Sequence, residues 1–169
     1  MTVELEPASR FRQATFRNLW QLYLYEFSRL KLWPIPEDGR WPEDDLDGCW
    51  TSPSRHPFFV RVDGGLAGFT VVDERSTSPL TGAANVRELS ELFVIPAYRM
   101  KGVGESAALQ AFTRFPGQWE LRVMAENDGA MTFWRQVVRR HSRDRFEELR
   151  FDEEKLRGWV LRFQNGDGT

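Results

Sequence analysis

The sequence predicts an α/β fold in which helices cover both faces of a mixed sheet. Strand-like and helix-like patterns follow each other in the order strand, helix, hairpin, strand, helix, strand, helix, hairpin. The chain has 169 residues, of which 41% are hydrophobic and 28% charged, as expected for a soluble globular protein. This length is enough to close one hydrophobic core, so we expect residues 1–169 to form a single domain.

The first half of the chain predicts a strand, a helix and a hairpin. Residues 2–6 alternate weakly between apolar and polar side chains, and residues 12–32 repeat apolar side chains at three- and four-residue steps. Proline, glycine and acidic residues predict irregular structure over residues 33–57, with one short helical turn. Asp63-Gly64-Gly65 separates two apolar runs and supplies the positive φ angles of a primed hairpin turn.

The second half predicts strands and helices in alternation. After a loop over residues 75–82, the patterns indicate strands at 86–95 and 119–125, helices at 104–115 and from Asn127 or Asp128 onward, and final strands at 146–151 and 159–163. The loop between the strand at 86–95 and its helix is the place to look for a site.

Composition and charge argue against several function classes. The formal net charge of −2 does not favour nucleic-acid binding. Cys49 is the single cysteine, and with only His56 and His141 beside it we expect no disulfide and no metal site. Charges begin at Glu4, and no uncharged stretch approaches the roughly 20 residues that span a bilayer. We expect a cytoplasmic protein whose partners are neither nucleic acids nor membranes.

Residues 94–104 carry the strongest functional signal. They read Val-Ile-Pro-Ala-Tyr-Arg-Met-Lys-Gly-Val-Gly and continue directly into a predicted helix. Glycines let the backbone approach a ligand closely, and the unpaired amides of a helix N-terminus favour a phosphate or pyrophosphate. The loop has neither the GxGxxG of a dinucleotide fold nor the GK[ST] ending of a P-loop. The residues alone therefore predict an anion site.

Two motifs give the chain a resemblance to a known family. The first is Arg99-x-x-Gly102-x-Gly104 after a strand and a proline, and the second is Asn127-x-x-Ala130-x-x-Phe133-Trp134. At this separation, and with the hairpin at residues 58–72, they resemble the GNAT superfamily of acyl-CoA-dependent N-acyltransferases. The resemblance implies a GNAT-like mixed, largely antiparallel sheet with helices on both faces, and acetyl-CoA as the co-substrate.

The resemblance also implies which residues hold acetyl-CoA. The pyrophosphate would be bound by main-chain amides of the loop, from Met100, Lys101, Gly102, Val103 and Gly104. The pantetheine arm would pair with the preceding strand at Phe93, Val94 and Ile95. An amide at Val94 or Ile95 would polarise the thioester carbonyl. Arg99 and Lys101 would reach phosphate oxygens or stay solvated. Asn127 would bind the pantetheine near its sulfur end or cap the following helix.

The group that protonates the departing thiolate is left open by the motifs. Trp134 stands where many family members have a tyrosine, and an indole N–H cannot give up a proton near neutral pH. The remaining candidates for the proton donor are Tyr98, Tyr23, Tyr25 and water. Trp134 is expected to pack as a wall of the acyl pocket.

Two carboxylates are candidates for the general base. Glu88 and Glu91 lie on the strand that would carry the thioester. Because they are three positions apart, they should face opposite sides of a regular strand, so at most one enters the cleft. Glu91 is the preferred candidate, and an ion pair to Arg87 or Arg122 is its alternative role.

The sequence therefore predicts an N-acetyltransferase without a metal, acting on a primary amine of a small molecule or peptide by direct attack in a ternary complex. We expect a monomer or homodimer. Most aromatic rings of the first helix are expected in the core or a subunit interface, and the resemblance implies that a minority of them, with Asp44, Asp45 or Asp47, would contact the amine. The alternative function is a CoA-binding or partner-binding module that has lost turnover, which Trp134 motivates.

Overall fold

The computed structural model describes residues 1–44, 46–153 and 156–166. The strands are Val3–Pro7 (β1), Arg55–Val62 (β2), Gly65–Thr77 (β3), Ala84–Val94 (β4), Gly117–Met124 (β5), Phe146–Glu153 (β6) and Leu156–Asn165 (β7). The helices are Gln13–Lys31 (α1), Gly48–Thr51 (α2), Val103–Arg114 (α3) and Asp128–Ser142 (α4), with short 3-10 turns at Arg10–Arg12 and Pro96–Tyr98. The predicted order of elements and the mixed α/β class are confirmed.

The described strands form one sheet in the order β1-β2-β3-β4-β5-β7-β6. Every neighbouring pair is antiparallel except β4 and β5, which run parallel. That parallel pair is short, because only Val86–Glu88 of β4 faces Gln118–Glu120 of β5. Beyond Glu88 and Glu120, β4 and β5 are no longer paired with each other among the described residues, and this leaves a gap inside the sheet.

Helices pack on the two faces of this sheet as predicted. The apolar side of α1, with Phe16 at its centre, packs on Phe59, Phe69 and Phe93 of the strands beneath it. The opposite face is covered by α3 and α4, whose buried side chains include Ala107 and Ala111 of α3 and Met131, Trp134 and Val138 of α4. The gap between β4 and β5 is therefore flanked by helices on both sides.

The hairpin between β2 and β3 has the turn that the sequence predicts. Asp63 and Gly64 both have positive φ angles, of 49° and 78°, which is the signature of a primed two-residue turn. Val62 and Gly65 pair directly across it. Several strand ends differ from the sequence prediction. For example, β2 begins at Arg55, within the segment expected to be irregular, and β3 continues to Thr77, inside the segment expected to be a loop, because Thr77 still pairs with Ala84 of β4.

No helix among the described residues has both the length and the apolar character needed to cross a membrane.

Candidate active site

Two cavities open into the gap between β4 and β5. One has a volume of about 460 Å³ and reaches Met100 and Gly104 at the start of α3, and we call it the α3 cavity. The other has a volume of about 290 Å³ and reaches Glu91 and Arg122, and we call it the Glu91 cavity. Their linings have residues in common, namely Tyr23, Phe27, Leu92, Asn127 and Ala130. The two cavities are therefore arms of one cleft.

The loop over residues 99–104, which we call the glycine loop, places main-chain amides at the end of the α3 cavity. Met100 and Gly102 have φ angles of 59° and 76°, and Gly102 is the residue that precedes α3. The first bond into the helix runs from the Ser106 amide to the Gly102 carbonyl at 2.9 Å. The amides of Val103 and Gly104 precede that bond, so they have no acceptor within the helix. This geometry suits an anion.

Gly104 lies close to a side chain of α4. A Cβ atom at this position would lie 3.3 Å from Cζ of Phe133 in α4. Phe133 in turn lines the α3 cavity. A larger side chain at position 104 would therefore displace a wall of the cleft.

The basic side chains of the loop are engaged by the protein itself. Nε of Arg99 donates to the Val94 carbonyl at 2.6 Å, and its Nη2 donates to Glu26 of α1 at 3.1 Å. Nζ of Lys101 donates to the Ala97 carbonyl at 2.8 Å. In this conformation both side chains are held by the protein, and each keeps further N–H donors for an anion beside the main-chain amides.

The edge of β4 distinguishes between Val94 and Ile95. The Ile95 amide donates to the Ala67 carbonyl at 2.9 Å, so it is committed to β3. Hydrogen-bonding directions alternate along an antiparallel strand, so the amide of Val94 points the other way, into the gap. The Phe93 side chain is buried in the layer beneath α1. Of the two candidate amides, Val94 is the one placed to meet a ligand.

Asn127 caps α4 and also borders the cleft. Its Oδ1 accepts a hydrogen bond from the Ala130 amide at 3.0 Å, which is the capping role proposed from the sequence. Asn127 also lines both arms of the cleft. Because the cap uses Oδ1, the two roles considered for this residue do not exclude each other.

A β-bulge at Ser90 corrects the expectation that Glu88 and Glu91 face opposite sides. Val71 of β3 pairs with Glu91, whereas the next residue, Val72, pairs with Leu89. Ser90 is thus an extra residue in β4, and the alternation of side chains skips it. Glu88 and Glu91 consequently lie on the same face of the sheet, the face that α1 covers.

Glu91 is hydrogen-bonded to a residue of α1. The Tyr23 hydroxyl donates to Oε2 of Glu91. The Tyr23 ring is held in edge-to-face contacts with Phe27 and Phe69, at centroid distances of 4.8 and 5.6 Å. The contact therefore joins the helix to the strand inside the cleft.

Burial dominates the ionisation of this pair. It raises the pKa of Glu91 to about 7, although the hydrogen bond from Tyr23 and the charge of Arg122 act in the opposite direction. Burial and the neighbouring Glu91 raise the pKa of Tyr23 well above its usual value. Near neutral pH the site therefore holds a carboxylate that can take up a proton and a phenol that stays protonated.

Glu88 has a different environment. Its Oε2 accepts from Nε of Arg75 at 2.6 Å, and its Oε1 pairs with Nη2 of Arg122 at 3.3 Å. Both carboxylate oxygens of Glu88 are therefore occupied by guanidinium groups. The ion pair to Arg122 that was the alternative role for Glu91 is thus formed by Glu88, and Arg87 lies near Glu74 instead, at 3.8 Å.

The remaining aromatic candidates lie in separate places. Tyr98 packs under the β2–β3 turn, where its hydroxyl oxygen lies 3.1 Å from the position of a Cβ atom on Gly65. Tyr25 is 65% exposed on the outer side of α1. Trp134 is buried, contacts Phe133 at 4.8 Å between ring centroids, and lines the Glu91 cavity. The structure thus brings Tyr23, and neither of the other two tyrosines, to Glu91.

The acidic segment before α2 is not brought to the cleft. Asp47 pairs with Arg17 of α1, and its neighbour Glu43 pairs with both Arg17 and Arg40. Asp44 is exposed, and Asp45 lies outside the described residues. Asp44 and Asp47 therefore line neither cavity.

Sequence reasoning did not anticipate two features of the site, the bulge at Ser90 and the position of Arg122 in the Glu91 cavity. No pattern in a single sequence signals either of them. Among the described residues, no group of three or more His, Cys, Asp or Glu side chains is arranged to hold a metal ion.

A sheet that splits between two parallel strands, beside a glycine loop that begins a helix, is the architecture of an acyltransferase class. The chain belongs to that class by sequence as well. It is a member of the family described as the Acetyltransferase (GNAT) family, whose model matches residues 14–137. No significant match was found among curated proteins.

Solved structures with the same fold cover nearly the whole chain. An acetyltransferase from Thermus thermophilus is 18% identical, with a TM-score of 0.68 over 95% of this chain and 96% of its own. A structure from Corynebacterium glutamicum ATCC 13032, described as histone acetyltransferase HPA2 and related acetyltransferase, is 12% identical, with a TM-score of 0.71 over 100% and 99%. The PaiA N-acetyltransferase of Thermoplasma acidophilum, in complex with coenzyme A, is 15% identical, with a TM-score of 0.59 over 97% and 99%. At these identities the likeness shows the fold.

Proposed function

We propose that this protein transfers the acetyl group of acetyl-CoA to a primary amine by direct attack in a ternary complex. The observation that carries the proposal is the position of Glu91, which lies in the same cleft as the amides that begin α3 and has its pKa raised to about 7. An acceptor amine and a CoA thioester would meet in the gap between β4 and β5.

The α3 cavity is assigned to acetyl-CoA. The amides of Val103 and Gly104 bind the pyrophosphate, and the unpaired edge of β4 at Val94 binds the pantetheine arm as an added strand would. Asn127, whose Oδ1 caps α4, offers its Nδ2 to the same arm. The T. acidophilum neighbour in complex with coenzyme A supports this choice of acyl donor.

Glu91 is assigned as the general base, acting directly or through one water. Its carboxylate takes a proton from the acceptor ammonium, and the nitrogen lone pair then forms a C–N bond to the thioester carbonyl carbon. The oxyanion accepts a hydrogen bond from the Val94 amide. Collapse of the tetrahedral intermediate breaks the C–S bond and releases the CoA thiolate, and the nitrogen gives its remaining extra proton to solvent as the acetylated amine forms.

Tyr23 is assigned to holding the Glu91 carboxylate in place, and the thiolate takes its proton from water. Tyr23 is the tyrosine that lines the cleft, and its raised pKa keeps the phenol in the proton-bearing form. Trp134 lines the Glu91 cavity beside it but cannot supply a proton. Its role is to shape the acyl pocket.

The test combines binding with turnover. Calorimetry should detect acetyl-CoA binding, and a thiol-release assay across small amines, amino acids and peptides should show CoA release that depends on the amine, with the N-acetyl product identified by mass spectrometry. The absence of acetyl-CoA binding would refute the proposal. Binding without release across the whole panel would favour a CoA-binding module that has lost turnover.

A further inference from the structure

The Glu91 cavity contains a second charged group that the proposed reaction does not use. Among the described residues that line this cavity, Arg122 is the only cation and Glu91 the only acid. Most of the other lining is apolar, including Phe27, Val123 and Trp134. The cavity therefore has one group that can take a proton, Glu91, and one group that can bind an anion, Arg122.

The bulge places these two groups across the gap from each other. The last pair between β4 and β5 is Glu88 with Glu120. Because Ser90 is an extra residue, Glu91 stands two ladder steps beyond that pair on β4, and Arg122 stands two steps beyond it on β5. Leu121 and Val123 point into the core beneath α3 and α4, so Arg122 points to the same face as Glu91.

Arg122 retains hydrogen-bonding capacity in this position. Its one ion pair among the described residues is to Glu88, at 3.3 Å from Nη2, and its side chain is 36% exposed. A guanidinium group has five N–H donors in a planar fork that fits a carboxylate, so a second anion can bind beside Glu88. Arg75 also holds Glu88, which means that Glu88 does not depend on Arg122 for its neutralisation.

Charge balance favours an acceptor that carries an anion. Arg55, Arg75 and Arg122 face Asp73, Glu88 and Glu91, with Arg55 and Arg75 both pairing to Asp73 at 3.4 Å. When Glu91 takes up the proton of the acceptor, this group of six side chains gains one positive charge. A second ammonium group on the acceptor would lie against Arg122 and add to the repulsion, whereas a carboxylate would offset it.

We propose that the acceptor is a small zwitterion, an amine whose second polar group is a carboxylate or a comparable anion bound by Arg122. This inference rests on the proposed function, and it names the class of amine that the Glu91 cavity accepts. Arg122 is a specificity-determining residue, and it acts on substrate binding.

The experiment uses acceptors that differ only in the anion. α-Amino acids are compared with their decarboxylated amines, and β-alanine with propylamine and diaminopropane, in a thiol-release assay with saturating acetyl-CoA. The carboxylate members should be preferred at least about tenfold in kcat/KM, equivalent to about 1.4 kcal/mol, with most of the difference in KM. R122Q should reduce this preference to near unity, R122K should retain part of it, and R139Q on the exposed side of α4 should leave it intact.

Other outcomes separate this inference from the proposed function. Faster turnover of propylamine or diaminopropane, or an equal loss on every acceptor in R122Q, would overturn the zwitterion proposal alone. If no amine is acetylated, the proposed function fails, and calorimetry of amino acids with the CoA-loaded protein then decides this inference. Binding that R122Q abolishes would support it, and no binding would overturn it.

Discussion

The two arms of the cleft are built from different parts of the chain. The α3 cavity ends on main-chain amides from one short segment, in which Met100 and Gly102 have positive φ angles. The Glu91 cavity brings together side chains from distant segments, with Tyr23 on α1, Glu91 on β4 and Arg122 on β5. One arm therefore presents backbone that is largely independent of side-chain identity, and the other presents individual side chains.

This difference predicts how each arm responds to mutation. Where amides bind the ligand, removing a side chain should change the affinity little, whereas adding a side chain at a glycine should weaken binding strongly. Where side chains do the chemistry, a single conservative replacement removes a function while the fold persists. The following changes test that contrast, beginning with the largest expected effect.

Replacing Glu91 should have the largest effect on turnover. E91Q keeps the shape of the side chain but cannot accept a proton, so kcat should fall about 10²- to 10⁴-fold near neutral pH. In the wild type, activity should fall as the pH drops below about 7, because the buried carboxylate becomes protonated there, and E91Q should lack this pH dependence. A pH–rate profile measures both effects.

The matched control for this change is E88Q on the same face of β4. Glu88 is fixed between Arg75 and Arg122, so E88Q should leave the pH dependence in place and change kcat far less. If E88Q and E91Q lose turnover equally, the assignment of the base to Glu91 is wrong.

Adding a side chain at Gly104 should have the next largest effect, this time on the donor. G104V would push against Phe133, whose Cζ lies 3.3 Å from the site of a Cβ atom. The added methyl groups also stand in the lining of the α3 cavity, so acetyl-CoA should bind at least about tenfold more weakly by calorimetry, equivalent to about 1.4 kcal/mol.

Lys101 provides the comparison within the same loop. K101A removes a side chain that donates to a carbonyl of its own loop, so acetyl-CoA affinity should change only a few-fold. A loss in K101A as large as that in G104V would mean that side chains, and not amides, bind the anion.

Removing the Tyr23 hydroxyl should have a smaller effect that depends on pH. In Y23F the pKa of Glu91 loses a hydrogen bond that lowers it, so less carboxylate is ionised at neutral pH. A rise of one pKa unit from about 7 would lower the ionised fraction, and with it kcat, about fivefold at pH 7, and the loss should shrink as the pH is raised. A larger loss that persists at high pH would instead identify Tyr23 as the donor of the thiolate proton.

Trp134 should be the most tolerant position in the Glu91 cavity. Its ring packs on Phe133 and forms a wall, so W134F should keep turnover within about tenfold of the wild type. Loss of a true proton donor costs about 10²- to 10⁴-fold. A hundredfold loss in W134F would show that the indole does more than pack.

The same contrast explains how far the sequence could be interpreted. The order of elements, the hairpin turn at Asp63 and Gly64 and the glycine loop were predictable, because each depends on residues close together in the chain. The hydrogen bond from Tyr23 to Glu91 joins residues far apart in sequence, and no local pattern encodes it. The single extra residue at Ser90 was also invisible, since a bulge changes the pairing of strands and not their composition.

The gap between β4 and β5 also creates an edge strand within the interior of a sheet. Edge strands normally invite other chains to pair with them, and proteins protect them with charge, proline or a covering element. Here the exposed edge at Leu92 and Val94 lies at the base of the cleft, between α1 and α4. The two helices block a strand of another protein, but a thin, extended pantetheine arm can enter. The amide of Val94 should therefore exchange its hydrogen rapidly in the empty protein and slowly once acetyl-CoA completes the sheet.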